Sequence, residues 1–412
     1  MEHYRLWGRV ISRHRIVKNE TVEIHDGDIE SAFLELCRRF DVQRPLQLPK
    51  HNREWEKFGR TFYTKEHFTE PIDFDKLEGA AHPGRRKEAQ RPAHPADGRL
   101  SAPVVGRFAP TPSGRLHLGN LLCALIAYLS ARSQGGRFLL RIEDLDTPRC
   151  PKRLCDAAVS DLAWLGVVWD EPPLVQSERT DVYRRYFDAL DEKGLLYPCF
   201  CTRAQLHAAD APNRGDDMPV YAGTCAHLSP ETVAEKLKTR RPAYRLRVPD
   251  ETIAVCDRHY GLYQENLARD CGDFILRRSD GLFGYQLAVV VDDALSGVNE
   301  IVRGHDILSS TPRQRYLQRL LGFETPAYAH IPLLEDAQGR RLAKRDGDTD
   351  LSALSKRFTR EDILGMLAYS AGILPENRPA TMEALIGAFD WKNVKTEDMR
   401  LPPSFQFAAR ST

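Results

Sequence analysis

Leu118, Leu121, Leu122, Leu125, Ile126 and Leu129 recur at spacings of three and four, the rhythm of a helix with one buried face. Immediately upstream, Arg107-Phe-Ala-Pro-Thr-Pro-Ser-Gly-Arg-Leu-His-Leu-Gly-Asn120 reads as a strand, a proline-punctuated turn and the helix start. Downstream, Phe138-Leu-Leu-Arg-Ile142 is a short apolar run between Gly135-Gly136 and an acidic turn, the pattern of a buried parallel strand. Strand, helix and strand form a β–α–β unit, so the pattern predicts a Rossmann-like α/β body over residues 101–350. Tyr244–Val248 and Asp273–Arg277 read as further strands, with Ser279-Asp-Gly-Leu282 as a turn. Tyr285–Asp293 is an apolar stretch bounded by aspartates, and Phe358–Leu374 suits a helix or two in a short C-terminal segment, 351–412.

The first hundred residues follow a different pattern. Tyr4, Leu6 and Val10 alternate with Arg5 and Arg9, and Val22 and Ile24 flank Glu23, which predicts two half-buried strands. Asp28 is placed to cap a helix whose Ile29, Phe33, Leu36, Cys37 and Phe40 share a face, with Pro45 and Pro49 ending it. Aromatic residues up to Phe74 complete a small α+β unit over 1–78. Its histidines are scattered without ligand spacing, and it carries no chemical motif. Gly79–Arg99 is rich in Pro, Ala, Gly and basic residues and nearly free of large apolar side chains, a linker composition that marks a domain boundary over 79–100.

At 412 residues, 42% hydrophobic and 28% charged, the chain suits two or three globular domains of ~150 residues each. Lys and Arg total 59 against 58 acidic residues, so any RNA-binding face is a local patch rather than a global excess. Residues 1–30 lack the apolar core of a signal peptide, and no run is apolar and long enough for a membrane span. Nine cysteines in so long a chain argue for a reducing cytoplasm rather than a disulfide framework.

The residues around the central turn fit phosphate chemistry. A helix start presents unpaired N–H groups and a positive dipole end, and Gly114 and Gly119 allow a ligand close to the backbone. His117 stands just before the helix, where its ring can donate to a phosphate. Thr111–Asn120 and Glu143 both follow strand ends and can face one crevice. Farther on, Cys199-Phe-Cys201 and Tyr221-Ala-Gly-Thr-Cys225 offer three thiolates and a phenolate oxygen, enough for a tetrahedral zinc ion; an unmetallated cysteine cluster is the alternative.

Arg107-Phe-Ala-Pro110, His117-Leu-Gly-Asn120, Arg141-Ile-Glu-Asp-Leu-Asp146 and Arg341-Leu-Ala-Lys-Arg345 together, in this order, resemble the glutamyl branch of the class I aminoacyl-tRNA synthetases. The resemblance implies a class I catalytic domain with an inserted zinc-binding, acceptor-type subdomain around 199–225. It implies that Arg107 binds the side-chain carboxylate of glutamate, Phe108, Ala109, Pro110 and Thr111 line the same site, and Glu143 holds the α-ammonium. Tyr285 and Arg303 complete that pocket; His117, Gly119, Asn120 and Lys344 attend ATP with Mg²⁺, with His117, Asn120 and Lys344 as the catalytic groups. Cys199, Cys201, Tyr221 and Cys225 match the zinc-bearing members. Arg341 and Ala343 depart from the usual lysine motif, so a serine hydroxyl is absent there.

Too little chain follows Lys344 for helical anticodon-binding domains, which together with the cysteine pattern narrows the resemblance to the glutamyl-queuosine tRNA(Asp) synthetases. That branch implies ATP-dependent activation of glutamate without tRNA, then transfer to the cyclopentene diol of queuosine in tRNA(Asp), by a cytoplasmic monomer. A shortened glutamyl-tRNA synthetase charging the 3′ end of tRNA(Glu), and a non-catalytic paralogue, are the competing readings.

Overall fold

The computed structural model describes residues 3–12, 15–24, 28–46, 60–65, 68, 76–84, 103–202, 205, 213–214, 218–335 and 351–401. The chain divides into two compact units, Met1–Gly98 and Arg99–Thr412.

In the first unit, β1 (His3–Ser12) and β2 (Arg15–Ile24) form a hairpin, followed by α1 (Ile29–Phe40), β3 (Arg60–Thr64) and β4 (Lys76–Gly84). The antiparallel sheet has the order β2-β1-β4-β3. Leu6, Val10, Val22 and Ile24 meet Phe33, Leu36 and Phe40 of α1 in one small core. Asp28 caps α1 by accepting from the Ser31 N–H at 3.0 Å. The helix stops before either proline. Asp41 turns left-handed (φ 54°), and its N–H bonds to the carbonyls of Cys37 and Arg38. Residues 79–84, linker by composition, form the outer half of β4 and pair with β1, and Gly79 and Ala80 pair with β3 as well. Strand pairing uses the backbone, so small side chains do not forbid it.

The second unit begins with β5 (Val105–Phe108), α2 (Leu118–Ser133) and β6 (Arg137–Ile142), continues through α3 (Lys152–Leu165), and adds β7 (Leu174–Val175). Strands β5, β6 and β7 are parallel. A segment with its own core follows: α4 (Thr180–Glu192), β8 (Leu196–Cys199), the short pair β9 (Asn213–Arg214) and β10 (Met218–Pro219), α5 (Pro230–Thr239) and β11 (Ala243–Leu246). Then come β12 (Thr252–Asp257), β13 (Gly261–Asn266), β14 (Phe274–Arg277) and α6 (Tyr285–Leu295). The α/β pattern resumes with β15 (Glu300–Gly304), α7 (Ser310–Leu321) and β16 (Ala327–Ile331), in which β15 and β16 are parallel.

The two β–α–β units meet edge to edge. Asn299 donates its N–H to the Val105 carbonyl at 3.1 Å, and its side-chain oxygen takes the Val105 N–H at 2.8 Å. Farther along, the Arg107 guanidinium reaches the Val302 carbonyl, so β5 and β15 run the same way. From β5 the chain crosses to β6 on one side; from β15 it crosses to β16 on the other. The carboxyl ends of β5 and β15 therefore flank the topological switch point, where open parallel sheets bind their ligands.

Helix α2 departs from the one-faced reading. Leu118, Leu121, Leu122, Ala124, Leu125, Ile126, Ala127, Tyr128 and Leu129 are all buried. The sheet covers one side, while α9 (Arg360–Ser370) and α10 (Met382–Ala388), which follow the short α8 (Leu351–Leu354), pack on the other. A helix apolar nearly all round is one enclosed by other elements.

Candidate active site

The mouth of α2 is built by its own first residues. His117 is the N-cap: its Nδ1 accepts from the Gly119 N–H at 3.1 Å, while Asn120 Oδ1 accepts from the His117 N–H at 3.2 Å. This reciprocal arrangement is a capping box. With Nδ1 accepting, the neutral ring carries its proton on Nε2. A Cβ on Gly119 would come within 3.0 Å of the His117 ring, which explains the glycine. Cys123, one turn farther into α2, is pushed up to about 12 by burial, against the nearby positive charges of Arg107 and Arg303. The first turns of α2 therefore lie against the two strand ends at the switch point.

Arg107, on β5, is buried. Its Nε donates to Asp293 Oδ1 at 3.2 Å and its Nη1 to the Val302 carbonyl at 3.2 Å. Asp293, near the end of α6, also accepts from Arg141 Nη1 at 2.5 Å. Arg141 in turn donates to Glu143 Oε1 through Nε (3.3 Å) and Nη2 (3.1 Å). Thr111 Oγ1 lies 3.4 Å from Glu143 Oε2, and the Glu143 N–H bonds to the Pro110 carbonyl, tying the loop after β5 to the end of β6.

The two carboxylates differ. Burial raises Asp293, but Arg141 and Arg107 outweigh it and hold the group below the usual carboxylate range. Burial dominates at Glu143 and leaves it above that range, despite the pull of Arg141. A further cation brought beside Glu143 would relieve that cost.

Arg303 faces this wall from β15 and is no surface ion pair. Its Nε donates to His330 Nε2 (2.9 Å), Nη1 to Gln314 Oε1 (2.8 Å) and Nη2 to Thr311 Oγ1 (2.8 Å), all buried. Tyr285 opens α6 and is 38% exposed as a residue. Burial at its hydroxyl end nevertheless raises the phenol, against the charge of Arg303 and ahead of effects from Glu143, Arg107 and Arg141. The structure thus brings Arg107, Thr111, Glu143, Tyr285 and Arg303 into one neighbourhood, with Phe108, Ala109 and Pro110 in the strand end and loop beside them. Lys344, Arg341 and Ala343 lie outside the described residues. Sequence reading missed Asp293, His330, Gln314 and Thr311, and gave Arg141 no role.

The cysteine cluster lies in the inserted segment. Cys199, Cys201 and Cys225 hold their sulfur atoms within 4.8 Å of one another, so the group can hold a metal ion. Cys201 and Cys225 are 3.7 Å apart, and Tyr221 Oη lies 3.5 Å from Cys199 Sγ and 3.9 Å from Cys201 Sγ. A tetrahedron with Zn–S bonds of about 2.3 Å has S···S edges of about 3.8 Å, so the donor set fits. Burial opposes ionisation of Cys199, but hydrogen bonds from Tyr221, the Cys201 backbone and Arg245 outweigh it and lower that thiol. Arg245 Nε reaches Cys199 Sγ at 3.3 Å and its guanidinium lies 3.7 Å over the Tyr221 ring.

Two β–α–β units meeting edge to edge, buried arginines and carboxylates at their switch point and a capped helix mouth beside them are the architecture of a nucleotide-type α/β domain. The chain belongs to the class I tRNA synthetases of the E and Q type, whose catalytic-domain model matches residues 103–374. It is 47% identical over 311 residues to the glutamyl-Q tRNA(Asp) synthetase of Symbiobacterium thermophilum, covering 73% of this chain and 96% of that one. Its identity to the enzyme of the same name from Nitratidesulfovibrio vulgaris is 44% over 310 residues, with the same coverage of 73% and 96%. Among solved structures, the glutamate-tRNA synthetase of Elizabethkingia anophelis superposes with a TM-score of 0.63 at 28% identity, covering 74% of this chain and 69% of that one. Among the described residues no helix is long and apolar enough to cross a membrane.

Proposed function

We propose that the protein activates glutamate with ATP and transfers it to the queuosine base of tRNA(Asp). The observation that carries this is the charge balance at the strand ends. Arg107, Arg141 and Arg303 face Glu143 and Asp293, one cation more than anions, while Asp257 is set back behind the His330 ring. Glutamate brings two carboxylates and one ammonium, a net charge that cancels that excess; glutamine does not. Glu143 receives the α-ammonium, Arg107 and Arg303 together receive the side-chain carboxylate, and Tyr285 lines the pocket beside them.

The α-carboxylate attacks the α-phosphorus of ATP, forming the carboxyl–phosphate bond of the adenylate as pyrophosphate departs. The residues stabilise charge on phosphate oxygens. His117 supplies its Nε2–H, the start of α2 supplies the positive end of its dipole, and Lys344 supplies a cation; Asn120 keeps the His117 turn closed. Mg²⁺ bound with the nucleotide would supply further neutralisation of phosphate charge. Cys199, Cys201, Cys225 and Tyr221 would hold a structural zinc ion, which would tie the strand end of β8 to the 221–225 turn.

The relatives named for queuosine transfer are matched over nearly their whole length, which favours this acceptor over the 3′ end of tRNA(Glu). Incubation with ATP, glutamate and queuosine-bearing tRNA(Asp), followed by mass spectrometry of the nucleosides, should reveal glutamyl-queuosine. Label on tRNA(Glu) alone would overturn the acceptor assignment. Protein purified without chelator should contain one zinc per chain by elemental analysis; none before or after replenishment would remove that site.

A further inference from the structure

We infer that Asp257 and His330 form a positioning pair that holds Arg303 aimed into the amino-acid pocket and so sets the preference for glutamate over glutamine. The inference deepens the pocket reading above and rests on it. His330 lies in β16 and Asp257 ends β12, so the pair is held by backbone on both sides.

The hydrogen bonds leave little freedom. A guanidinium Nε–H can only donate, so His330 Nε2, 2.9 Å away, must accept. The ring is then neutral with its proton on Nδ1, which donates to Asp257 Oδ2 at 2.6 Å. Burial, with the Arg303 charge, pushes His330 down to about 4 in spite of Asp257, in keeping with a neutral ring. Asp257 is itself pinned. Its Oδ1 accepts backbone N–H groups from His259 (2.9 Å), Tyr260 (2.8 Å) and His330 (3.2 Å), and its Oδ2 accepts the His330 N–H at 3.0 Å. Asp257, His330 and Arg303 are all buried.

This arrangement has a consequence for ligand choice. Three of the five N–H groups of Arg303 are fixed by neutral acceptors, His330, Gln314 and Thr311. Among the described residues no carboxylate pairs with Arg303 directly. One compensating anion stands an imidazole ring away, at Asp257, and Asp293 also feels the Arg303 charge. One N–H on each terminal nitrogen stays available for a ligand, which can approach as a bidentate carboxylate. An amide would bring an N–H₂ group toward a donor-only edge and leave the buried charge without an anion. Selectivity therefore depends on keeping Arg303 in this pose, and the His330 tautomer keeps it there.

The pair makes a sharp prediction for Asp257→Asn. Three backbone N–H groups converge on Oδ1, so the asparagine oxygen takes that place and its N–H₂ faces His330 Nδ1. The ring must then carry its proton on Nε2, directly opposite the Arg303 Nε–H. Two donors meet and Arg303 leaves its pose. In ATP–pyrophosphate exchange, Asp257→Asn should raise the glutamate KM at least tenfold and weaken discrimination against glutamine, with the ATP KM within twofold of wild type. Adding His330→Gln to Asp257→Asn supplies an acceptor that has no tautomer, and should bring the glutamate KM back to within about threefold of the His330→Gln single variant. A merely structural loss would not be rescued by a second core substitution. An Asp257→Asn enzyme whose glutamate KM stays within twofold of an active wild type, or whose glutamate and ATP KM rise together, overturns the inference alone. Wild-type protein lacking any glutamate-dependent exchange sinks the pocket reading with it.

Discussion

Arg107 and Arg303 sit on neighbouring strands at the same end of the sheet, yet their surroundings are opposite. Arg107 is bonded to Asp293, which also takes Arg141, so that wall carries its own counter-charge. Arg303 is gripped by an imidazole, an amide and a hydroxyl, none of them charged. At an effective dielectric near 20, a unit charge about 4 Å away is worth about 4 kcal/mol. A ligand carboxylate approaching Arg107 feels that attraction reduced by the directly bonded anion, whereas at Arg303 the reduction is smaller, because Asp257 stands behind the His330 ring. The first wall is a rigid, balanced frame and the second an unbalanced receptor. Position in a motif does not distinguish them; their partners do.

The largest effect should therefore fall on Arg303. Removing one partner of a desolvated charge pair costs roughly 2–5 kcal/mol, and each 1.4 kcal/mol is tenfold. Arg303→Ala should lower kcat/KM for glutamate by about a thousandfold, while Arg107→Ala should lower it by roughly ten- to a hundredfold. ATP affinity should change little in either. Steady-state pyrophosphate exchange at varied glutamate measures both, and the reverse ranking would break the comparison.

The balanced wall should show its role in stability instead. Asp293→Asn keeps the shape of the side chain but leaves Arg107 and Arg141 without their shared anion. Breaking a buried ion pair from one side costs about 3–5 kcal/mol. Denaturant unfolding of the Asp293→Asn protein should show a loss of about 3 kcal/mol, with a smaller loss for Arg303→Ala, whose partners are neutral and can find one another. Equal losses would mean that the two walls are not different in kind.

Much of this was legible in the sequence. The helix after His117, the strand at Phe138–Ile142 and the cysteine trio follow from periodicity, turn residues and spacing over short distances. Four features were not. The end of α1 depends on Asp41 adopting φ 54°, which no composition rule requires. The start of β4's outer half uses backbone pairing by residues that looked like linker. Full burial of α2 needed helices contributed from beyond residue 350. The partners of the two arginines lie far off in the chain: Asp293 is 186 residues from Arg107 and 152 from Arg141, and Asp257 is 73 from His330. A lone histidine in Ala327-Tyr-Ala-His-Ile331 reads as core, and only the fold shows that its ring faces Arg303.

The last contrast separates the walls by pH. His330 is neutral in the fold with a pKa near 4, against an ordinary value of 6.5, and the charges around it are Asp257, Arg303 and His305. Below pH 6.5 the unfolded chain takes up a proton that the folded chain refuses, so stability from this ring is complete above 6.5 and is lost as pH falls toward 4. Asp293 is held below its ordinary 3.8, so its contribution survives that interval and is lost only as pH falls through its depressed value. The Arg303 wall should weaken first and the Arg107 wall second. Each proton contributes a slope of at most about 1.4 kcal/mol per pH unit. Unfolding free energies measured from pH 7.5 to 3 should lose the shallow slope between 6.5 and 4 in His330→Gln, while the steeper fall at lower pH remains. If His330→Gln leaves the upper slope intact, the ring is not the neutral group on which the contrast between the two arginines depends.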